Sequence, residues 1–191
     1  MDNHRGLHRR RSIRLPFYDY SQGGAYFLTL CTWERRLLFA SIRGDAVELN
    51  GFGRIVQEEW LRSADIRREL ALDAYIVMPN HVHGILVLSP EECSVGRLPR
   101  RLGSGEGPGR RSLASFVGGL KSATTKRINE MRGTPRAPVW QRNYYERVIR
   151  NERELQRARE YILDNPRKWG EDPNHPARSR PPRRSVGVTG R

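Results

Sequence analysis

Hydrophobic positions along the chain follow two different periods, and together they predict seven elements of secondary structure. Extended segments rich in aromatic and β-branched residues occupy residues 25–32, 75–88 and 144–149, and a Pro-Asn turn divides the middle segment into two strands. Helical spacing occupies residues 50–63, 112–132 and 151–166. The order strand, helix, strand, strand, helix, strand, helix predicts an α+β fold: a ferredoxin-like (split βαβ) antiparallel sheet with an added C-terminal helix.

The predicted helix boundaries rest on capping residues and helix breakers. Asn151 precedes the third helix, and Glu154 stands three positions later, which is the pattern of a capping box. Pro166 ends this helix, and Gly133 ends the second one.

The net charge of +14 lies mainly in three segments without hydrophobic periodicity. Residues 1–14, 97–111 and 167–191 together carry 17 basic and 4 acidic residues, so the rest of the chain is nearly neutral. We predict a flexible basic N-terminus over residues 1–14, a domain over 15–170 with a mobile loop at 89–111, and a disordered basic tail over 171–191. Such charge indicates a polyanionic partner, nucleic acid before membrane, although tails that serve solubility alone are an alternative.

Cysteine usage and hydropathy indicate a cytoplasmic protein. Cys31 and Cys93 stand far apart and form neither a disulfide framework nor a Cys-x-x-Cys zinc motif. No apolar run reaches the roughly 18 residues that a membrane span needs. The sequence therefore predicts no membrane partner.

His81 and His83 are the first candidates for chemistry. The two-residue period of a strand sends both side chains to one face, where two imidazoles can share a divalent cation. Apolar residues continue from Ile85 to Leu88, which predicts a central strand covered on both faces. The alternative is a pair of hydrogen-bonded core histidines, and from these ligands alone the expected metal is Zn²⁺.

Tyr161 and Asn165 are the second pair of candidates. Both lie one turn apart along the edge of the apolar stripe of the third helix. If that stripe packs on the sheet, a phenol and a carboxamide come to lie at a cleft near the histidines. The alternative is a tyrosine that only packs and an asparagine that only ends a helix.

Four motifs in fixed order carry a family resemblance. They are Met-Pro-Asn-His-Val-His at 78–83, the helix that contains Ser122, Val-Trp-Gln-Arg-Asn-Tyr-Tyr at 139–145, and Tyr-Ile-Leu-Asp-Asn-Pro at 161–166. Together they resemble the single-tyrosine transposases of the HUH nuclease superfamily, and REP-associated tyrosine transposases most of all. The resemblance covers about residues 12–170 and leaves the segment 89–111 and the C-terminal tail unmatched.

The resemblance implies a mechanism and its components. His81, His83 and Asn165 would bind Mg²⁺ or Mn²⁺, and Tyr161 would be the nucleophile that cuts and rejoins single-stranded DNA next to hairpins through a 5′-phosphotyrosine. It also implies action as a monomer rather than a homodimer, on nucleoid DNA. Hard divalent cations usually prefer oxygen ligands, so two imidazoles and an amide are not a set that the residues alone predict. The sequence also shows no general base for Tyr161.

Basic and aromatic residues of the second half are the expected DNA contacts. Cations would hold phosphates and aromatic rings would stack on bases, although each ring taken singly also suits the core. The candidates are Lys121, Lys126, Arg127, Trp140, Arg142, Tyr144, Tyr145 and Arg147.

Two other functions compete with the transposase. A non-catalytic module that binds single-stranded DNA or RNA on the same fold would explain the charge, but not the pairing of His81 and His83 with Tyr161 and Asn165. A zinc hydrolase usually needs a third histidine or an acid near the pair, and His4, His8 and His175 all lie in predicted tails. A nucleobase deaminase is excluded because its His-x-Glu and Pro-Cys-x-x-Cys motifs are missing.

Overall fold

The computed structural model describes residues 23–89 and 112–178. The predicted flexible N-terminus, nearly all of the predicted loop at 89–111, and residues 179–191 of the predicted tail lie outside these ranges. In the described part the elements follow in the order β1 Gly24–Cys31, β2 Ala40–Arg43, β3 Ala46–Leu49, α1 Gly51–Ile66, β4 Leu70–Val77, β5 His81–Leu88, α2 Leu113–Arg132, β6 Tyr145–Ile149 and α3 Glu152–Asp164.

The main sheet has four antiparallel strands in the order β4-β5-β1-β6. This order places β1 and β5 at the centre and makes α1 and α2 the two crossover helices, which confirms the predicted ferredoxin-like arrangement. The register pairs Cys31 with His81 and Thr29 with His83. Both histidines therefore lie at the beginning of the central strand β5, and each is paired with a residue of β1.

Each face of the sheet has its own core. Alternate residues of β1 and β5, among them Leu28 and Val82, pack with α1 and α2 on one face. On the other face Ile85 and Ile149 pack with Ile162 of α3. The period of two in the sequence thus separates the helical layer of α1 and α2 from the face that carries the histidines.

Gly84 allows β5 to pack closely against α1. A Cβ atom at this position would lie 2.2 Å from the ring of the buried Trp60. Any other residue would therefore move either the strand or the indole, and glycine keeps β5 in register beside the two histidines.

The three helices begin at the residues that the sequence indicates. The Asn50 side chain accepts hydrogen bonds from the backbone N–H groups of Phe52 and Gly53, and the Ser112 hydroxyl accepts one from Ser115. The Asn151 side chain accepts one from Glu154, whose carboxylate in turn accepts the N–H of Arg150. These bonds satisfy donors of the first turn that lack a partner inside the helix.

A small hairpin before α1 was not predicted. Strands β2 and β3 pair through only four positions, and Gly44 turns between them with a φ of +58°. Such short strands have alternation too brief to stand out from a loop. Strand β4 also begins at Leu70, five residues before the predicted start, because its first residues pair with the end of β5.

The chain after α3 differs from the predicted tail. Residues Trp169–Glu171 and Pro176–Arg178 form short 3-10 turns, and Asp172 between them is buried. The disorder predicted from residue 171 is therefore wrong for residues 171–178. Long-range contacts hold this segment, and they leave no periodic signal in the sequence.

None of the helices in the described ranges has the length and hydropathy of a membrane span.

Candidate active site

His81 and His83 are buried side by side, with ring centroids 4.4 Å apart. Nδ1 of His81 lies 2.9 Å from Oδ1 of Asn80, and Nδ1 of His83 lies 2.9 Å from the hydroxyl of Thr29. The amide of Asn80 also donates from Nδ2 to the carbonyl oxygens of Arg35 and Asn174, which identifies Oδ1 as the atom that faces His81. Nδ1 of His81 must then carry the proton, and Nε2 has a free lone pair.

Both imidazoles are neutral at physiological pH. Burial lowers the pKa of His81 to about 3, and the nearby Arg35 adds to this effect. Burial also lowers the pKa of His83 to about 3, with a further contribution from His81. Neutral imidazole is the form that binds metals, so these rings need not lose a proton first.

Helix α3 brings Tyr161 and Asn165 to the histidines. The Tyr161 hydroxyl lies 3.5 Å from Nε2 of His83, and the phenol ring is 43% exposed, so a ligand in solvent can reach it. Burial raises the pKa of Tyr161, and the negative charge of Asp172 raises it further. The hydroxyl is thus protonated at neutral pH.

Asn165 is buried at the C-terminal end of α3. Its Nδ2 donates to Oδ2 of Asp172 over 3.1 Å. The four residues singled out from the sequence, His81, His83, Tyr161 and Asn165, therefore lie together around one site.

Asp172 is a site residue that the sequence did not reveal. In the part of the chain that the structure describes, His81, His83 and Asp172 form a buried group whose ligand atoms all lie within 4.8 Å of one another. This cluster could hold a divalent cation. Asp172 stands in the segment that was predicted to be disordered, and no motif marks it; its only signal was an acid close after the matched residues 161–166.

The polar atoms of the site fit a metal ion. Among the described residues, Nε2 of His81 and Oδ1 of Asn165 are buried and have no hydrogen-bond partner. A buried nitrogen and a buried oxygen without partners are costly unless a cation or water binds them. The nitrogen and oxygen donors present here suit several divalent metals, so the donor atoms do not decide which one.

A cleft of about 720 Å³ opens beside Tyr161 and His83. Its lining includes Phe27 and Thr29 of β1, together with residues of β6, of α3 and of the segment around Pro173. Three arginines line it: Arg35, Arg147 and Arg157. The lining of the cleft therefore combines the ring of Phe27, three arginines, the carboxylate of Glu154 and Tyr161.

Seven of the eight residues predicted to touch DNA fall into three groups. Tyr144, Tyr145 and Arg147 line the cleft. Trp140 is buried and donates its indole N–H to Thr124, so the structure places it in the core. The third group, Lys126, Arg127 and Arg142, lies outside the cleft lining.

Lys126 and Arg127 belong to α2, on the sheet face opposite α3. Lys126 pairs with Glu130, and Arg127 bridges Glu58 and Glu59 of α1. Arg142 is exposed in the loop before β6.

Lys121 holds the loop that precedes β6, next to the cleft. Its ammonium donates to the carbonyl oxygens of Gln141 and Asn143, over 2.8 and 3.1 Å, and lies 5.7 Å from the centre of the Tyr144 ring. Burial lowers its pKa to about 8. These contacts connect the loop before β6 to α2. The Lys121 ammonium is therefore bonded to backbone carbonyl groups of the protein itself.

Comparisons with known proteins identify a relative of the chain and a solved structure of the same fold. No protein-family model matches the chain. An uncharacterized protein of Haemophilus influenzae is 34% identical over 170 residues, which covers 87% of this chain and 93% of that protein. The solved structure of a REP-associated tyrosine transposase bound to a REP hairpin matches with a TM-score of 0.53 and 21% identity, over 80% of this chain and 72% of that one.

These matches show the fold of the chain and its family. The chain has the fold of the REP-associated tyrosine transposase, as the sequence resemblance implied. By its identity and coverage, the chain belongs to one family with the Haemophilus influenzae protein.

Proposed function

We propose that this protein is a metal-dependent tyrosine transposase that cuts and rejoins single-stranded DNA next to hairpins. The observation that carries the proposal is the Tyr161 hydroxyl, which lies 3.5 Å from Nε2 of one of two buried, neutral histidines. The fold supports it, because the matching transposase structure is that of a protein bound to a REP hairpin.

His81, His83 and Asn165 would hold Mg²⁺ or Mn²⁺. Nε2 of His81 and Oδ1 of Asn165 are buried without hydrogen-bond partners, which supports their role as ligands. A bound cation supplies positive charge beside the scissile phosphate and its leaving oxygen.

Tyr161 is the nucleophile of this mechanism. Its hydroxyl oxygen attacks the phosphorus in line, the bond from phosphorus to the 3′ oxygen breaks, and the phenol proton is lost while the leaving oxygen gains one. The products are a 5′-phosphotyrosine and a free 3′-OH. The free energy of the cleaved phosphodiester bond is conserved in the phosphotyrosine bond. The 3′-OH of another strand can therefore attack that bond and be joined without ATP.

The cleft is suited to a single strand. Its volume of about 720 Å³ falls in the range of pockets for nucleotide-sized ligands. Arg147 and Arg157 stand where they can contact phosphates, and the half-exposed ring of Tyr145 can stack on a base. A strand bound there would pass the Tyr161 hydroxyl, as the in-line attack requires.

One copy of the chain is sufficient for this site. Tyr161 reaches His83 of its own chain, so the nucleophile and the histidines come together without a partner. We therefore propose that the protein acts as a monomer, and its resemblance to transposases further suggests action on nucleoid DNA in the cytoplasm.

The test is incubation of the full-length protein with end-labelled single-stranded hairpin DNA and Mg²⁺ or Mn²⁺, followed by denaturing gel electrophoresis. A covalent protein–DNA band that EDTA abolishes is the expected result. Cleavage without such a band would indicate a hydrolase instead. Binding without cleavage would indicate a non-catalytic DNA-binding module.

A further inference from the structure

We propose that Asp172 supplies a carboxylate ligand to the metal site and fixes the amide of Asn165 with its oxygen free for the same ion. This inference rests on the metal dependence proposed above. It extends the site to the segment after α3, beyond the residues that the motifs indicate.

Asp172 is a buried carboxylate that has neither a lysine nor an arginine beside it in the described part of the chain. Asp172 is only 4% exposed, and within residues 23–89 and 112–178 no lysine or arginine lies within ion-pair distance of it. Among the described residues, the one basic side chain at that distance is His81, whose Nε2 lies 3.8 Å from Oδ2 of Asp172. Buried carboxylates are normally paired with a cation or bound to a metal.

The hydrogen bonds of Asp172 leave room for a metal. Oδ1 accepts the backbone N–H of Asn174, and Oδ2 accepts Nδ2–H of Asn165. Each carboxylate oxygen has a second lone pair that these bonds do not use. Oδ2 is therefore able to bind an ion while it keeps its bond to Asn165.

The distance between Oδ2 and Nε2 of His81 also suits a shared ion. Bonds from a divalent metal to nitrogen and oxygen ligands are about 2.0–2.2 Å long, so two ligand atoms of one ion lie up to about 4.3 Å apart. The 3.8 Å between Nε2 of His81 and Oδ2 of Asp172 lies within that limit.

The bond between Asn165 and Asp172 explains the state of the Asn165 amide. Because Nδ2 is the end that donates to the carboxylate, Oδ1 is the end that remains buried without a partner. Asp172 thus selects the amide orientation that offers an oxygen to a cation.

A carboxylate also makes the site more favourable for hard cations such as Mn²⁺. Two imidazoles and one amide oxygen form a weak site for Mg²⁺ or Mn²⁺, which prefer charged oxygen ligands. With Asp172 the donor set becomes two nitrogens, an amide oxygen and a carboxylate oxygen. The expected consequence is that Asp172 strengthens the binding of Mn²⁺ more than that of Zn²⁺.

The position of Asp172 is held by the hairpin turn that also orients His81. Nδ2 of Asn80 donates to the carbonyl of Asn174 over 2.8 Å, and Oδ1 of Asn80 faces Nδ1 of His81. A guanidinium nitrogen of Arg35 donates to the carbonyl of Pro173, also over 2.8 Å. Asn80 therefore holds the carboxylate and the imidazole in one arrangement, although 91 positions separate Asp172 from His81.

The first experiment measures Mn²⁺ affinity of the full-length chain by the loss of the free Mn²⁺ EPR signal on titration. Asp172→Asn keeps the shape of the side chain but removes its charge, and it should weaken Mn²⁺ binding by at least about tenfold, the effect of losing even a supporting partner. Asp164→Asn is the matched control, because Asp164 is an exposed carboxylate on α3 that pairs with Lys168. It should bind Mn²⁺ as the unmodified chain does.

The second experiment uses the unmodified sequence, so its result does not depend on whether a variant folds. The chain is made by cell-free synthesis with [4-¹³C]aspartate and unlabelled asparagine, and Mn²⁺ electron–nuclear double resonance is recorded. A strong ¹³C coupling is expected, as from a carboxylate bound directly to Mn²⁺. Binding of Mn²⁺ with no ¹³C coupling would overturn the role of Asp172 and leave the metal site standing, and so would equal Mn²⁺ affinity in a folded Asp172→Asn protein. A chain that binds no Mn²⁺ would overturn both proposals.

Discussion

The hydroxyl oxygen of Tyr161 lies 3.5 Å from Nε2 of His83, although the two residues are 78 positions apart in the chain. The contact forms because α3 packs its stripe, centred on Ile162, against the same sheet face that carries the histidine. The phenol ring also makes an edge contact with Phe27 of β1, 5.9 Å between centroids. Several of the expected properties of the protein follow from this placement.

Tyr161→Phe should abolish the covalent DNA adduct and leave folding and hairpin binding intact. The change removes one hydroxyl group, while the ring keeps its contacts with Phe27 and His83. The adduct is measured on a denaturing gel, and binding by electrophoretic mobility shift. Tyr145→Phe is the control, since Tyr145 also lines the cleft and its ring remains available for stacking. An adduct formed by the Tyr161→Phe variant would assign the nucleophile elsewhere.

Asn165→Ala should act mainly on the metal. It removes the buried Oδ1, and we expect the Mn²⁺ concentration for half-maximal cleavage to rise by about 10- to 100-fold. Asn151→Ala is matched for stability, because Asn151 caps the same helix and its loss costs about 1 kcal/mol without touching the site. If the two variants lose activity only in parallel with their stability, Asn165 is merely a helix-end residue.

The metal-free chain should become less stable as the pH falls below about 6.5. Burial lowers the pKa of His81 and His83 to about 3 in the folded state, whereas in the unfolded chain they titrate near 6.5. The unfolded state then binds more protons between these values, so the free energy of unfolding decreases as the pH falls through this window.

This pH dependence is measured as Tm in EDTA between pH 8 and 5, above the range where most carboxylates titrate. A His81→Gln, His83→Gln double variant should show a much smaller change of Tm between pH 6.5 and 5. Equal slopes for the two proteins would mean that the histidines are not held neutral by the fold.

Charge removal in the cleft should flatten the salt dependence of DNA binding. Arg147→Gln with Arg157→Gln should lower the slope of log K against log salt concentration by about 0.7 for each phosphate that the protein no longer neutralises. Lys126→Gln is the control on the opposite sheet face, and its slope should be unchanged. A larger effect from Lys126 than from the arginines would place the strand along α2 instead.

Removal of residues 1–11 and 179–191 should weaken DNA binding and preserve cleavage at saturating DNA. These segments carry eight arginines and one acidic residue, so their loss should also reduce the salt slope. The truncation keeps Asp172, which is buried beside the histidines. An unchanged slope would show that the termini do not contact phosphates.

Local patterns in the sequence determined the order of the main elements and the faces of their residues. A period of two placed His81 and His83 on one side of β5, and Asn151 with Glu154 marked the start of α3, because these signals depend only on neighbouring residues. The helical period also placed Tyr161 and Asn165 along one edge of α3, and the family resemblance pointed to them as partners of the histidines.

The tertiary structure alone decided which of the other polar residues belong to the site. Asp172 joins the histidines because Asn80 and Arg35 bind the backbone after it, and Trp140 enters the core because it packs on Phe39 and donates to Thr124. Such contacts link residues that are distant in sequence, and a periodic pattern cannot encode them. The sequence therefore determined the face on which each chemical group lies, and the packing of α3 and the segment after it decided which groups meet.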